Sequence, residues 1–201
     1  ERVKSRWKNR VSSQRKSTRT PRNHRELFDL AVNHLLDVKD DMENGDTSVA
    51  GVLLDIDQEE VMRNYLAHEL ERMSAGRYQI PQEEELADEK RTDLRFHGVG
   101  IASPVPVELK IAEKWTGPKL FERFENQLSG DYLRDRRSSR GIYLLVNRGK
   151  QRQRWQLPDG TTMDFEGIVR ALHDYWLELS PNYPGVVELR VIGIDLSKRT
   201  Q

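Results

Sequence analysis

Apolar positions recur along this chain with two different periods, and the alternation between them outlines an α/β domain. Spacings of three and four residues over 26–43 (Leu27, Leu30, Ala31, His34, Leu35, Val38) predict an amphipathic helix that stops at "ENGD". A short apolar run, 49–56, follows. A second helix is expected over "QEEVMRNYLAHELERMS", with Asp57 as its N-cap and the glycine of "SAGRY" at its end. Between 78 and 98 the pattern supplies two strands joined by a polar turn around "ADEKR", and Pro81 places the first at an edge or a bulge. In the second, Leu94 and Phe96 share one face while Asp93, Arg95 and His97 share the other.

The next strand, "VPVELKI", puts Val105, Val107, Leu109 and Ile111 on one side and Pro106, Glu108 and Lys110 on the opposite one. A helix then begins near Pro118. "GIYLLVNRG" is apolar throughout, as suits a strand covered on both faces. The helix 163–180 carries a stripe of Phe165, Ile168, Val169, Leu172, Trp176 and Leu179, and "GVVELRVIGIDLS" closes the sheet. The resulting order of helix, three strands, helix, strand, helix, strand predicts a mixed sheet flanked by helices.

Charge changes this picture in two places. The whole chain balances 33 basic against 33 acidic residues, yet residues 1–25 hold ten Lys/Arg and one acid. A basic arm therefore precedes an acidic body, a pattern of nucleic-acid binders and equally of solvated leaders. The segment 134–154 is also basic, with Arg134, Arg136, Arg137, Arg140, Arg148, Lys150, Arg152 and Arg154 against Asp135 alone. Together with Lys114 and Lys119 in "KWTGPK", these residues are candidates for gripping a phosphate backbone without reading bases. The acidic run 83–85 reads as a solvated strand end. Cysteine is missing from the sequence, which excludes disulfides and thiolate metal sites. No apolar run reaches the length of a membrane span, so a cytoplasmic protein without a membrane partner is expected.

The chemistry concentrates on the two consecutive strands. If they pair as a hairpin, Asp93 and Glu108 converge at one end of the sheet with Lys110 alongside. Paired carboxylates of this kind suit Mg²⁺ or Mn²⁺. A neighbouring lysine can orient or deprotonate water and steady charge on phosphorus. The same pattern also fits a half-exposed strand with an ion pair on its outer face.

"TD" at 92–93 followed by "ELK" at 108–110, set in this order of elements, resembles the PD-(D/E)XK nuclease superfamily, with its restriction-endonuclease-like fold. The resemblance covers about residues 57–196. It implies a basic arm (1–25) and a helical lead-in (26–56) ahead of a nuclease domain (57–201). It further implies that Asp93, Glu108 and the Leu109 carbonyl hold Mg²⁺ or Mn²⁺ and that Lys110 is the catalytic lysine. Glu60, or its neighbour Glu59, stands where the family often places an additional acid, and Gln127 stands where some members carry a glutamine. Thr92 replaces the family's proline, and Tyr132 lies five residues beyond Gln127 rather than four. The implied activity is metal-dependent phosphodiester hydrolysis, with DNA as the expected partner. The sequence begins without methionine, so the effector end of a larger bacterial defence protein, working with other domains or subunits, is expected. The alternative is a catalytically silent nucleic-acid-binding or assembly module.

Overall fold

The computed structural model describes residues 19–45, 50–81, 93–126, 138–150, 154–157 and 159–199. The first helix, α1, spans His24–Asn44. Its entry is set by Asn23, whose side chain accepts the backbone N–H of Glu26 at 2.9 Å and satisfies one donor of the first turn. A single turn, α2 (Ala50–Leu53), leads to α3 (Glu59–Ser74). The N-cap of α3 is Gln58, with no side-chain cap, rather than the expected Asp57. The Asp57 carboxylate is instead paired with the Arg148 guanidinium, a charged partner that outweighs a single backbone N–H. The helix ends on Ala75 in the left-handed region, followed by Gly76.

Five strands form one mixed sheet: β1 (Tyr78–Gln79), β2 (Leu94–Gly98), β3 (Val105–Ile111), β4 (Arg140–Asn147) and a last strand, Glu188–Asp195, at the far edge. β1 occupies the opposite edge, where Pro81 predicts it. β1 pairs antiparallel with β2 and β2 with β3, while β3, β4 and the last strand are parallel. Pro106 is tolerated in the central strand because its partner there is Arg95 of β2, whereas pairing with β4 begins one residue later at Val107. Helix α4 (Gly117–Arg123), which precedes β4, lies on one flank, and a small hairpin after β4, β5 (Trp155–Gln156) with β6 (Thr162–Met163), lies on the same side. That hairpin is not foreseen by the sequence pattern, since two-residue strands leave no period to read. Asp164 caps α5 (Phe165–Leu179) through the N–H of Gly167, and the edge strand that follows is β7.

The sheet separates two apolar layers. On one face Val105, Val107, Leu109, Ile142, Leu144 and Ile192 pack with residues of α1, α2 and α3. On the other, Tyr143, Leu145, Leu189 and Val191 pack with α4, α5 and Trp155. The apolar stripe of α1 is thus covered by the chain's own sheet: Leu27, Ala31 and Leu35 are fully buried. Central placement has its largest effect on β3, of which every residue is buried. Glu108 and Lys110 are 2% and 6% exposed, so the outer-face ion pair of a half-exposed strand is not what forms here.

Candidate active site

The site lies where β2 stops and β3 continues. Their last antiparallel pair is Leu94 with Val107, and among the described residues no strand lies beside this edge of β3 beyond that point. Side chains take over the backbone groups left there. Asp93, the residue before β2, accepts the Leu109 N–H on Oδ2 at 2.7 Å. Glu59, in the first turn of α3, accepts the Ile111 N–H on Oε1 at 3.1 Å. Lys110 turns its ammonium back to the Leu109 carbonyl at 3.0 Å. Buried main-chain groups need such partners, which is why polar side chains converge at this end of a strand.

Three carboxylates surround one ammonium. Lys110 Nζ is 2.5 Å from Glu108 Oε1, 3.6 Å from Glu59 Oε2 and 3.7 Å from Asp93 Oδ2. Glu108 lies at the closed end, while the Asp93 and Glu59 side chains are 19% and 25% exposed and form the open side. Burial pushes the Asp93 carboxyl above the usual aspartate range; Lys110 and the Leu109 N–H offset part of that, and Glu59 adds to it. For Lys110, burial works against the charged form, but Glu108, Asp93 and Glu59 outweigh it and hold the ammonium above the ordinary lysine value. Lys110 is therefore charged at neutral pH. In this arrangement it can donate hydrogen bonds and stabilise negative charge, but it cannot accept a proton from water. The adjoining Tyr143 phenol is pushed far up, first by burial and then by the same carboxylates.

Trp115 closes one side. Its indole Nε1 donates to Glu59 Oε1 at 3.0 Å. The Lys110 ammonium stands 5.8 Å from its ring centroid and the Arg123 guanidinium 5.3 Å, both within cation–π range. Neither Trp115 nor Arg123 is singled out by the sequence motif. Their signal was the proximity of an aromatic residue to the end of the motif strand.

The residues expected from the sequence divide accordingly. Asp93, Glu108, Lys110 and the Leu109 carbonyl are brought together. Of the two glutamates at the start of α3, Glu59 points into the cluster, whereas Glu60 is 66% exposed and stands 3.9 Å from Arg63. Among the basic candidates, Lys114 is exposed, with its ammonium on the Asp57 carbonyl, and Lys119 pairs with Glu122 at 2.9 Å on the surface. Arg154 is exposed, and Lys150 stands 3.3 Å from Asp55. Arg140 is half-buried between His24 and Glu188. Arg148 is only 5% exposed and fully engaged within the fold. Gln127, Tyr132, Arg134, Arg136, Arg137, Arg152, the acidic run 83–85 and residues 1–18 of the arm lie outside the described residues.

Among the described residues, no group of three or more His, Cys, Asp or Glu is arranged as a metal-holding set, and no helix is long and apolar enough to cross a membrane. A groove of about 620 Å³ runs along the free edge of β7 between α1 and α5, lined by Val32, Leu36, Phe165 and Val169, and it shares no residue with the carboxylate cluster. No protein-family model, curated protein or solved structure matches this chain.

Proposed function

We propose that this chain is a metal-dependent nuclease of the restriction-endonuclease-like type, hydrolysing phosphodiester bonds of DNA. One observation carries the reading: Asp93, just before β2, and Glu108, in the neighbouring β3, both lie within 3.7 Å of the same buried lysine nitrogen. A surface ion pair needs one acid, and this lysine has three. The surplus of negative charge around Lys110 and the hard oxygen donors fit a divalent cation. Asp93, Glu108 and the Leu109 carbonyl are the groups that would hold it, and its contribution would be to polarise the phosphodiester and acidify a bound water.

The remaining work falls to the protein's own side chains. Lys110, charged and anchored, donates to the oxygens on phosphorus and stabilises the negative charge that develops as water attacks and the ester oxygen departs. Glu59 fixes the end of β3 and the Trp115 indole, so Lys110 keeps its direction. Lys114, Lys119 and Arg154 present exposed cations to a phosphate backbone.

A second reading is favoured by the closure of the cluster on itself. Lys110 already bonds Glu108 and the Leu109 carbonyl, which is what a silent nucleic-acid-binding or assembly module would retain for structure. Cleavage of plasmid and linear DNA with Mg²⁺, Mn²⁺ or EDTA, comparing the natural chain with Lys110→Ala, separates the two. Metal-dependent cutting that disappears in the variant supports the nuclease. Salt-sensitive DNA binding without cutting supports the silent module, and equal cutting by both chains refutes the assigned site.

A further inference from the structure

Arg148 is expected from the sequence on a phosphate backbone, and its surroundings give it another task. It follows directly on β4. Its backbone N–H donates to Glu113 Oε2 at 2.8 Å and its Nε to Glu113 Oε1 at 2.7 Å. The Glu113 side chain is itself only 6% exposed. The guanidinium also donates to the Ile56 carbonyl at 2.8 Å and to the Asp57 carboxylate. One planar fork thus joins the end of β4, the 3₁₀ turn Ala112–Lys114 and the linker before α3.

The two segments held by Arg148 lead to one place. Two residues after Asp57 comes Glu59, and two residues after Glu113 comes Trp115. Glu59 Oε1 accepts from both the Trp115 indole and the Ile111 N–H, while its other oxygen faces Lys110 at 3.6 Å. We infer that Arg148 is a positioning residue: by tying Ile56 and Asp57 to Glu113, it sets Glu59 on Trp115 and beside Lys110. A lysine cannot substitute, because a single ammonium lacks the rigid fork that reaches a carboxylate, a carbonyl and a second carboxylate together. The effect on turnover rests on the nuclease reading, whereas the effect on Glu59 and Trp115 does not.

The test uses the full chain with Arg148→Lys and Arg148→Gln. The indole N–H resonance of Trp115, assigned with Trp115→Phe, reports the Glu59 contact; Trp176 of α5 serves as a control, and Glu59→Gln as a reference. Both Arg148 variants are expected to move the Trp115 resonance in the direction that Glu59→Gln moves it, with Trp176 unmoved. Binding of a duplex oligonucleotide in EDTA should keep its salt dependence, and cleavage in Mg²⁺ should fall at least about tenfold in kcat with KM unchanged, about 1.4 kcal/mol of activation free energy. An unmoved Trp115 resonance overturns the inference, as does a shift of Trp115 and Trp176 together. A salt slope reduced by about one with Trp115 unmoved would return Arg148 to the phosphate backbone. If the natural chain does not cleave DNA, the nuclease reading fails while the indole result still decides the positioning role. Should the Arg148 variants not fold, Asp57→Asn removes the exposed partner of the fork. A smaller Trp115 shift of the same sign supports the inference, and none overturns it.

Discussion

Replacing Lys110 by methionine keeps the length and most of the volume of the side chain while deleting its charge. At an effective dielectric of about 20, the contact at 2.5 Å is worth roughly 6–7 kcal/mol, and those at 3.6 and 3.7 Å roughly 4–5 kcal/mol each, before desolvation. Desolvation cancels most of this in the intact cluster, but deleting the ammonium takes from the buried Glu108 its charged neighbour, and breaking a buried pair typically costs about 3–5 kcal/mol. The partial exposure of Asp93 and Glu59 lets water absorb some of the loss, so Lys110→Met is expected to destabilise by about 3 kcal/mol at pH 7.

The penalty should depend on pH in a defined direction. Asp93 has its folded carboxyl raised above the unfolded value, so the folded chain takes up this proton first as pH falls. The unfavourable contribution of ionised Asp93 is fully present above the folded value and vanishes below the unfolded one. Without Lys110 the carboxyl rises further. The difference between variant and natural chain should therefore shrink as pH falls through the range in which the folded carboxyl takes up its proton. Urea unfolding followed by tryptophan fluorescence, with unchanged m, measures both quantities. A loss under about 1 kcal/mol that does not vary with pH is the behaviour of a solvated surface pair and would refute the desolvated cluster.

Glu59→Ala should cost about 1–2 kcal/mol in the same assay, because the Ile111 N–H and the Trp115 indole lose their acceptor while relief of repulsion offsets part of the loss. Glu60→Ala should stay within about 0.5 kcal/mol, since its side chain is exposed and stands 3.9 Å from Arg63 on the surface; equal effects would mean that Glu59 does not reach the cluster. His34, 2% exposed, meets the Tyr78 hydroxyl at 2.7 Å and is lowered to about 4, first by burial and then by Arg77. Its depressed value stabilises the fold above the unfolded pKa, and this is lost as pH falls from 6.5 towards 4, about 3 kcal/mol in all. A non-titrating Phe at that position should remove this part of the pH dependence, and an unchanged pH profile in His34→Phe would contradict the assignment.

Much of the architecture was open to sequence reading because period and punctuation are local properties. The stripe of α1 and the unbroken apolar run of β4 fix element type without reference to the rest of the chain. So does the alternation that puts Asp93 opposite Leu94 and Glu108 opposite Leu109. The convergence of Asp93, Glu108 and Lys110 was legible for the same reason, since a hairpin needs only two neighbouring strands.

What the tertiary structure alone decided depends on neighbours distant in sequence. Alternation gives β3 a polar face, but only β4 and the layer of α4 and α5 bury that face and turn an ordinary Glu–Lys pair into a desolvated cluster. Glu59 and Glu60 sit about 100° apart around a helix whose rotation is set by packing of Met62, Leu66 and Leu70, so one enters the site and the other faces water. Charge composition counted Arg148 among phosphate-binding cations. The fold spends it inside, because Glu113 and Asp57 come from segments 35 and 91 residues away in the chain and meet only at the end of β4. A sequence states which groups carry charge; burial and partners, which set their energies and their reach, exist only once the layers have closed.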